Sequence, residues 1–349
     1  MKRIVEVVFT GGTIGSVAIG DTLDTSSNPP RQLLSMCGME GVEFRESEPF
    51  RILSEDAGTE HWTRLAAHLA GLDYANLDAI VVTHGSDTMA WTAKALAFAL
   101  AGAPVPIVLV GSDRPLADPS SNGCDNFRDA VAFALGEKLP GVYVAWKNRQ
   151  EPTSIHLAGR ILPCDPYDDG FRSARGLRFG VVEKGVFQRG TEDANPTRSR
   201  IARSAMEQAW KRSRSEATAG TAFDSRVLVL PARPGADHSS VDPSTWNAIL
   251  QIAYHSSTAP SQPGHGSLQD LASRCAVTGV PLILGPCRRD HAAYESASRL
   301  ERAGILLAPS MEATSLVVKL QWFLGTGRPL SELSIDIAWE ILPEAIFPS

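Results

Sequence analysis

Thr10-Gly11-Gly12-Thr13-Ile14 and Thr83-His84-Gly85-Ser86-Asp87-Thr88-Met89 each stand at the end of a short apolar run. The runs, Ile4-Val5-Glu6-Val7-Val8-Phe9 and Ala79-Ile80-Val81-Val82, are nearly uninterrupted and rich in β-branched residues. Such runs read as strands of a parallel sheet buried on both faces. Open α/β sheets bind ligands beyond the carboxyl ends of their strands, so both loops are expected at one site. Gly11 and Gly12 let the chain turn sharply and let a ligand approach backbone N–H groups with no Cβ in the way. Thr13 is then a hydroxyl beside oriented donors, the arrangement with which acyl transfer attacks a carbonyl and stabilises the oxyanion. Asp87 follows Ser86 and opens a helix expected over 87–102, where it can orient a water, a proton-transfer group or a substrate amine. Taken singly, the glycine pair also fits a plain βα turn, and Ser86 or Asp87 a helix N-cap.

Outward from these loops, apolar runs alternate with helical patterns. Residues 60–72 carry Trp62, Leu65, Ala66 and Leu69 at helical spacing, and 106–110 and 141–145 read as further strands. The alternation predicts an α/β fold whose larger N-terminal part is a doubly wound, mainly parallel sheet. Between 190 and 224 the chain turns to Arg, Ser, Thr, Glu and Ala, with a helix expected over 200–214. Beyond it, strands at 226–230, 280–284 and 305–307 and helices at 245–254, 267–275 and 295–303 make a smaller α/β domain. The expected organisation is a catalytic-type domain over 1–190, a linker over 191–224 and a C-terminal domain over 225–349. A chain of 349 residues exceeds the size, about 250–300 residues, at which single cores stop growing.

TGGTI at 10–14 and HGSDTM at 84–89 resemble the two signatures of the L-asparaginase family of threonine amidohydrolases, with Ser86 where many members have Thr. Ser54-Glu55-Asp56, after the strand-like Phe50-Arg51-Ile52-Leu53, resembles the family's substrate-carboxylate loop. The stretches Val110-Gly111-Ser112-Asp113-Arg114-Pro115 and 122–131 are similar as well, and 311–324 is similar to the last core helix of cytoplasmic members. The resemblance runs from about residue 3 to 325. It implies a two-domain asparaginase-like fold and an acyl-enzyme on Thr13, with Ser86 and Asp87 catalytic and Gly12, Ser54, Glu55 and Gly85 binding substrate. It also implies a small-molecule amide substrate, no cofactor and a homodimer or homotetramer in the cytoplasm.

Two departures bear on the activity. Phe171-Arg172-Ser173 resembles the anchor that follows the family's relay lysine, yet nine residues upstream stands Leu162, and 151–178 contains no lysine. Arg160 is the nearest cation, and arginine holds a charge without shuttling protons near neutrality. The loop 15–31 also lacks the tyrosine that closes over substrate in the family, which leaves Tyr167 as a substitute. Three activities follow: hydrolysis of asparagine by a rearranged relay, hydrolysis of another amide, lactam or ester, or ligand binding without turnover.

The net charge of −6, from 33 basic and 39 acidic residues, offers no basic excess for nucleic acid. No run reaches the roughly 18 apolar residues of a membrane span, so no membrane partner is expected. The N-terminal residues read as a first strand rather than a leader. Eight histidines include no helical pair of metal ligands, and no metal site is expected. Cys37, Cys124, Cys164, Cys275 and Cys287, odd in number, read as reduced thiols.

Overall fold

The computed structural model describes residues 2–15, 17–19, 22–24, 29–191, 194–213, 220–262, 264, 266–288 and 294–342. The chain divides into two compact units, one of Met1–Ala222 with Ile337–Trp339 and one of Phe223–Asp336 with Glu340–Ser349.

The first unit contains strands β1 (Arg3–Phe9), β2 (Val17–Ile19), β3 (Thr22–Asp24), β4 (Val42–Ser47), β5 (Ala79–Thr83), β6 (Pro106–Val110), β7 (Gly141–Lys147), β8 (Thr153–Leu157), β9 (Gly180–Glu183) and β10 (Val186–Arg189). Its helices are α1 (Pro29–Cys37), α2 (Thr59–Ala70), α3 (Ser86–Ala99), α4 (Gly123–Glu137) and α5 (Arg198–Ser213). Eight strands form one sheet in the order β10-β9-β8-β7-β6-β5-β1-β4. From β4 to β7 the pairs are parallel, and from β7 to β10 antiparallel. Every residue of β5 and β6 is buried, as expected for central strands covered on both faces. α3 is buried along most of its length from Met89 to Ala99, so its apolar character runs almost all round rather than along one stripe.

The run 50–53 is not a strand: Ile52 alone makes a bridge, to Gly11. The expected linker contains α5, and residues up to Ala222 group with the first unit. Residues 192–193 and 214–219 of that stretch, with the end of its expected helix, lie outside the described residues.

The cysteine expectation needs correction. α1 and α4 pack side by side, bringing the Cα atoms of Cys37 and Cys124 to 5.2 Å, and the two form a disulfide. A pairing across 87 residues leaves no mark in local spacing. Cys164, Cys275 and Cys287 are free thiols.

The second unit is a four-stranded parallel sheet in sequence order, β11 (Val227–Leu230), β12 (Ala248–Ile252), β13 (Leu282–Cys287) and β14 (Leu306–Pro309). Helices α6 (Leu268–Thr278), α7 (Glu295–Arg302) and α8 (Ala313–Thr326) accompany it. Residues 245–254 were expected as a helix, and 248–252 of them instead form β12. The run Ala-Ile-Leu-Gln-Ile is short enough to serve either way, and its place between β11 and β13 decides for strand. Lys319 of α8 and Glu340 are both fully buried and paired at 2.5 Å, and Lys319 also donates to the carbonyls of Leu333 and Ile335. Such a pair is tolerated in the interior only because each charge is compensated.

Candidate active site

β1 and β5 run parallel with Phe9 opposite Thr83, so the two hydroxyl-rich loops leave the sheet side by side. Thr10 Oγ1 donates to the Thr83 carbonyl at 2.7 Å, and Ile52 N–H donates to the Thr10 carbonyl at 3.1 Å. Gly11 and Gly12 take φ of +113° and +89°, a region that side chains disfavour. Their lack of a Cβ is also a packing requirement. A Cβ on Gly12 would stand 2.4 Å from Gly85 N, and one on Gly85 would stand 2.4 Å from Ser54 Oγ. The three segments named by the sequence therefore touch: 10–14, 84–88 and 54–56 meet at Gly12, Gly85 and Ser54.

Ser54 opens a single 3-10 turn, Ser54–Asp56, and its buried Oγ donates to Asp87 Oδ2 at 2.8 Å. Thr88 Oγ1 donates to the Ser54 carbonyl at 2.7 Å, so α3 grips this turn from both sides. α3 starts at Ser86 after an extended Gly85 that provides no side-chain cap. The positive end of its dipole thus begins beside Gly85, which adjoins Gly12 and Ser54, a favourable place for developing negative charge. Thr13 is half-buried on the turn Thr13–Gly15, fixed from behind by the buried Ile14. Ser86 is half-buried, and Glu55 and Asp87 are exposed.

His84 lies beneath the loop, 2% exposed. Its ring nitrogens contact the Gly85 carbonyl and Thr92 Oγ1, each at 2.9 Å, and Trp62 Nε1 donates to the same Thr92 oxygen at 3.0 Å. A carbonyl only accepts, so Nδ1 carries the proton and Nε2 accepts from Thr92. Burial pushes the imidazole below its ordinary value, against the Gly85 carbonyl and the Asp87 charge. His84 is therefore neutral, with Nδ1–H donating to the Gly85 carbonyl and Nε2 taken up by Thr92.

His156 on β8 behaves alike. Burial and the nearby Arg178 charge push it down to about 3, and its Nδ1 meets Ser173 Oγ at 2.8 Å. Because the unfolded chain takes up this proton first, stability is expected to fall as pH drops from about 6.5 toward 3. The slope from His156 is about 1.4 kcal/mol per pH unit. Urea unfolding of His156→Gln across that range checks this: the variant should have the flatter acid limb, and an unchanged slope would contradict it.

Arg160 and Tyr167, the two substitutes named for the relay, stand in different settings. Arg160 is buried, with Nε donating to the Trp339 carbonyl at 2.6 Å and Nη1 to the Ala194 carbonyl at 3.0 Å, so it holds backbone. Tyr167 is 96% exposed. Among the described hydrogen bonds, neither side chain is joined to Thr13, Ser86 or Asp87. Cys164 lies half-buried in the same segment. Burial, followed by the charges of Asp169, Asp87, Asp168 and Asp165, pushes its thiol up to about 12. The expected tyrosine-free loop 15–31 lies partly outside the described residues, as does His265 of the loop 264–267. Among the described residues, no group of three His, Cys, Asp or Glu side chains is placed to hold a metal, and no helix is long and apolar enough to cross a membrane.

The model of the asparaginase N-terminal domain matches residues 4–186, a span that holds all three touching segments. The chain belongs to the asparaginase family. Within it, the chain is 26% identical over 339 residues to the L-asparaginase of Thermococcus kodakarensis, covering 94% of each. It is 25% identical to a component of the glutamyl-tRNA(Gln) amidotransferase of the same organism, over 98% of this chain and 77% of that one. The solved structure of the T. kodakarensis L-asparaginase matches with a TM-score of 0.78 at 24% identity, covering 98% of this chain and all of that one, and so establishes the asparaginase-like α/β fold.

Proposed function

We propose that this asparaginase-family chain is an amidohydrolase that uses Thr13 as nucleophile on the side-chain amide of L-asparagine or a related small amide. The observation that carries the reading is the contact of Gly12, Gly85 and Ser54 at the carboxyl edge of β1 and β5, with Ser54 bonded to Asp87. Thr13 Oγ1 adds to the amide carbonyl, giving up its proton, and the oxyanion is met by N–H groups near Gly12 and Ser86. Ammonia leaves with that proton, and a water held by Ser86 then cleaves the ester and restores the threonine. Asp87 binds the substrate amine or supports the proton transfer, and Ser54 with Glu55 holds the far end of the substrate.

The tyrosine-free loop 15–31 favours a second reading, an enzyme for another, bulkier amide, lactam or ester. The absence of both the relay lysine at Leu162 and the loop tyrosine favours the third, a non-catalytic ligand-binding homologue. Ammonia release from L-asparagine, D-asparagine and L-glutamine, run beside thermal shifts with the matching acids, separates them. Release from asparagine with stabilisation by aspartate supports the first reading. Stabilisation by another acid without release from asparagine sinks it; a ligand at a hundredfold its Kd adds about 2.7 kcal/mol.

A homodimer or homotetramer, with an acidic residue from the neighbouring subunit completing the site, is carried over from the family resemblance. So is a cytoplasmic setting, against which the Cys37–Cys124 disulfide weighs, since reducing compartments keep such pairs open. The excess of acidic over basic residues favours a free amide over a tRNA-borne one.

A further inference from the structure

We propose that Cys37–Cys124 is a thiol–disulfide exchange site whose redox state sets the order of the turn Thr13–Gly15; its effect on turnover rests on the reading of Thr13 as nucleophile. α1 packs on one side against the turn Thr13–Gly15 and on the other against α4. Leu33 and Cys37 of α1 share one buried cluster with Ile14, Phe9 and Phe127, so the residue after Thr13 rests on the same apolar layer as the disulfide. α1 has nine residues, too few to hold a helix without tertiary ties. Besides that apolar packing, its described ties to α4 at this end are the disulfide and Arg128, which donates to the carbonyls of Met36 at 2.9 Å and Cys37 at 3.3 Å. Opening the disulfide removes the covalent tie and leaves Arg128 and the apolar layer to seat the end of α1, and a shift of α1 passes through Ile14 to Thr13.

Access decides how the bond opens. Cys37 is fully buried and Cys124 only partly so, which directs an attacking thiolate to Cys124 Sγ. The reductant is a dithiol. Its first thiolate forms a mixed disulfide with Cys124 and expels Cys37 as thiolate. Its second thiol then closes on the first, releasing Cys124. Two electrons and two protons pass to the protein, leaving two thiols and one oxidised dithiol.

The test is hydrogen exchange by mass spectrometry on the full chain, as isolated without reductant and after dithiothreitol, with thiols counted in denaturant. Three thiols are expected as isolated and five after reduction. Exchange over residues 11–15 and 32–38 should quicken tenfold or more on reduction while β5 and β6 stay unchanged, and turnover should fall in parallel. Cys37→Ser and Cys124→Ser should start in the fast-exchanging state and ignore dithiothreitol, whereas Cys275→Ala should keep the response. Five thiols in the untreated protein, or unchanged exchange over 11–15 after full reduction, would overturn the proposal. A response in exchange from a protein inactive in both states would uphold the exchange site and count against the nucleophile reading instead.

Discussion

Gly12→Ala is expected to lower turnover by at least a hundredfold while the protein still folds. The added Cβ meets Gly85 N at 2.4 Å and Gly85 Cα at 2.7 Å, and backbone atoms at the end of a central strand cannot swing aside as a side-chain tip would. Relief requires Gly12 and Gly85 to separate by close to 1 Å, the difference between that contact and an ordinary one, and this moves the N–H groups assigned to the oxyanion. Loss of one such donor costs on the order of 10²–10³ in kcat. The φ of +89° adds strain of about 1–3 kcal/mol, which a chain with two cores of this size should survive. Steady-state kinetics of a variant with wild-type circular dichroism check the expectation, and activity within threefold of wild type would remove Gly12 from the site.

Asp87→Asn carries the second large effect. The asparagine keeps the shape, and its side-chain carbonyl still accepts from Ser54 Oγ, so the 54–56 turn should stay seated. What disappears is the negative charge. If Asp87 serves proton transfer, kcat drops by about 10²–10⁴ with KM little changed. If it binds the substrate amine, KM rises as well. Loss of an acidic side chain from the first turn of α3 costs only about 0.3–1 kcal/mol, so a collapse in stability would point to a structural role in place of either.

The central part of the sheet was legible because β1, β5 and β6 are short apolar runs with little polar interruption and because glycines mark the end of β1. The meeting of 10–14 with 84–88 was legible from their place beyond strand ends, whereas the addition of 54–56 was legible only through the family resemblance, since Ser54 and Asp87 lie 33 residues apart. Local pattern misled at 245–254, where five apolar-rich residues fit helix or strand and only the neighbouring strands decide. The antiparallel edge β8–β10 escaped notice because its strands mix polar residues, such as His156, with apolar ones. The link from Trp62 through Thr92 to His84 was invisible for another reason. Trp62 was correctly read as a core residue of a helix, yet its indole N–H needs a partner, and nothing in spacing names Thr92. Arg160 donates to the carbonyls of Trp339 and Ala194, partners distant in sequence that no spacing names.

Thr13→Ala in the ammonia-release assay is the decisive measurement. With the amide that the wild-type protein hydrolyses, release should fall by a thousandfold or more, with binding of the product acid retained, because the hydroxyl is lost and the Gly12, Gly85 and Ser54 framework is not. Wild-type release from Thr13→Ala would show that the nucleophile lies elsewhere.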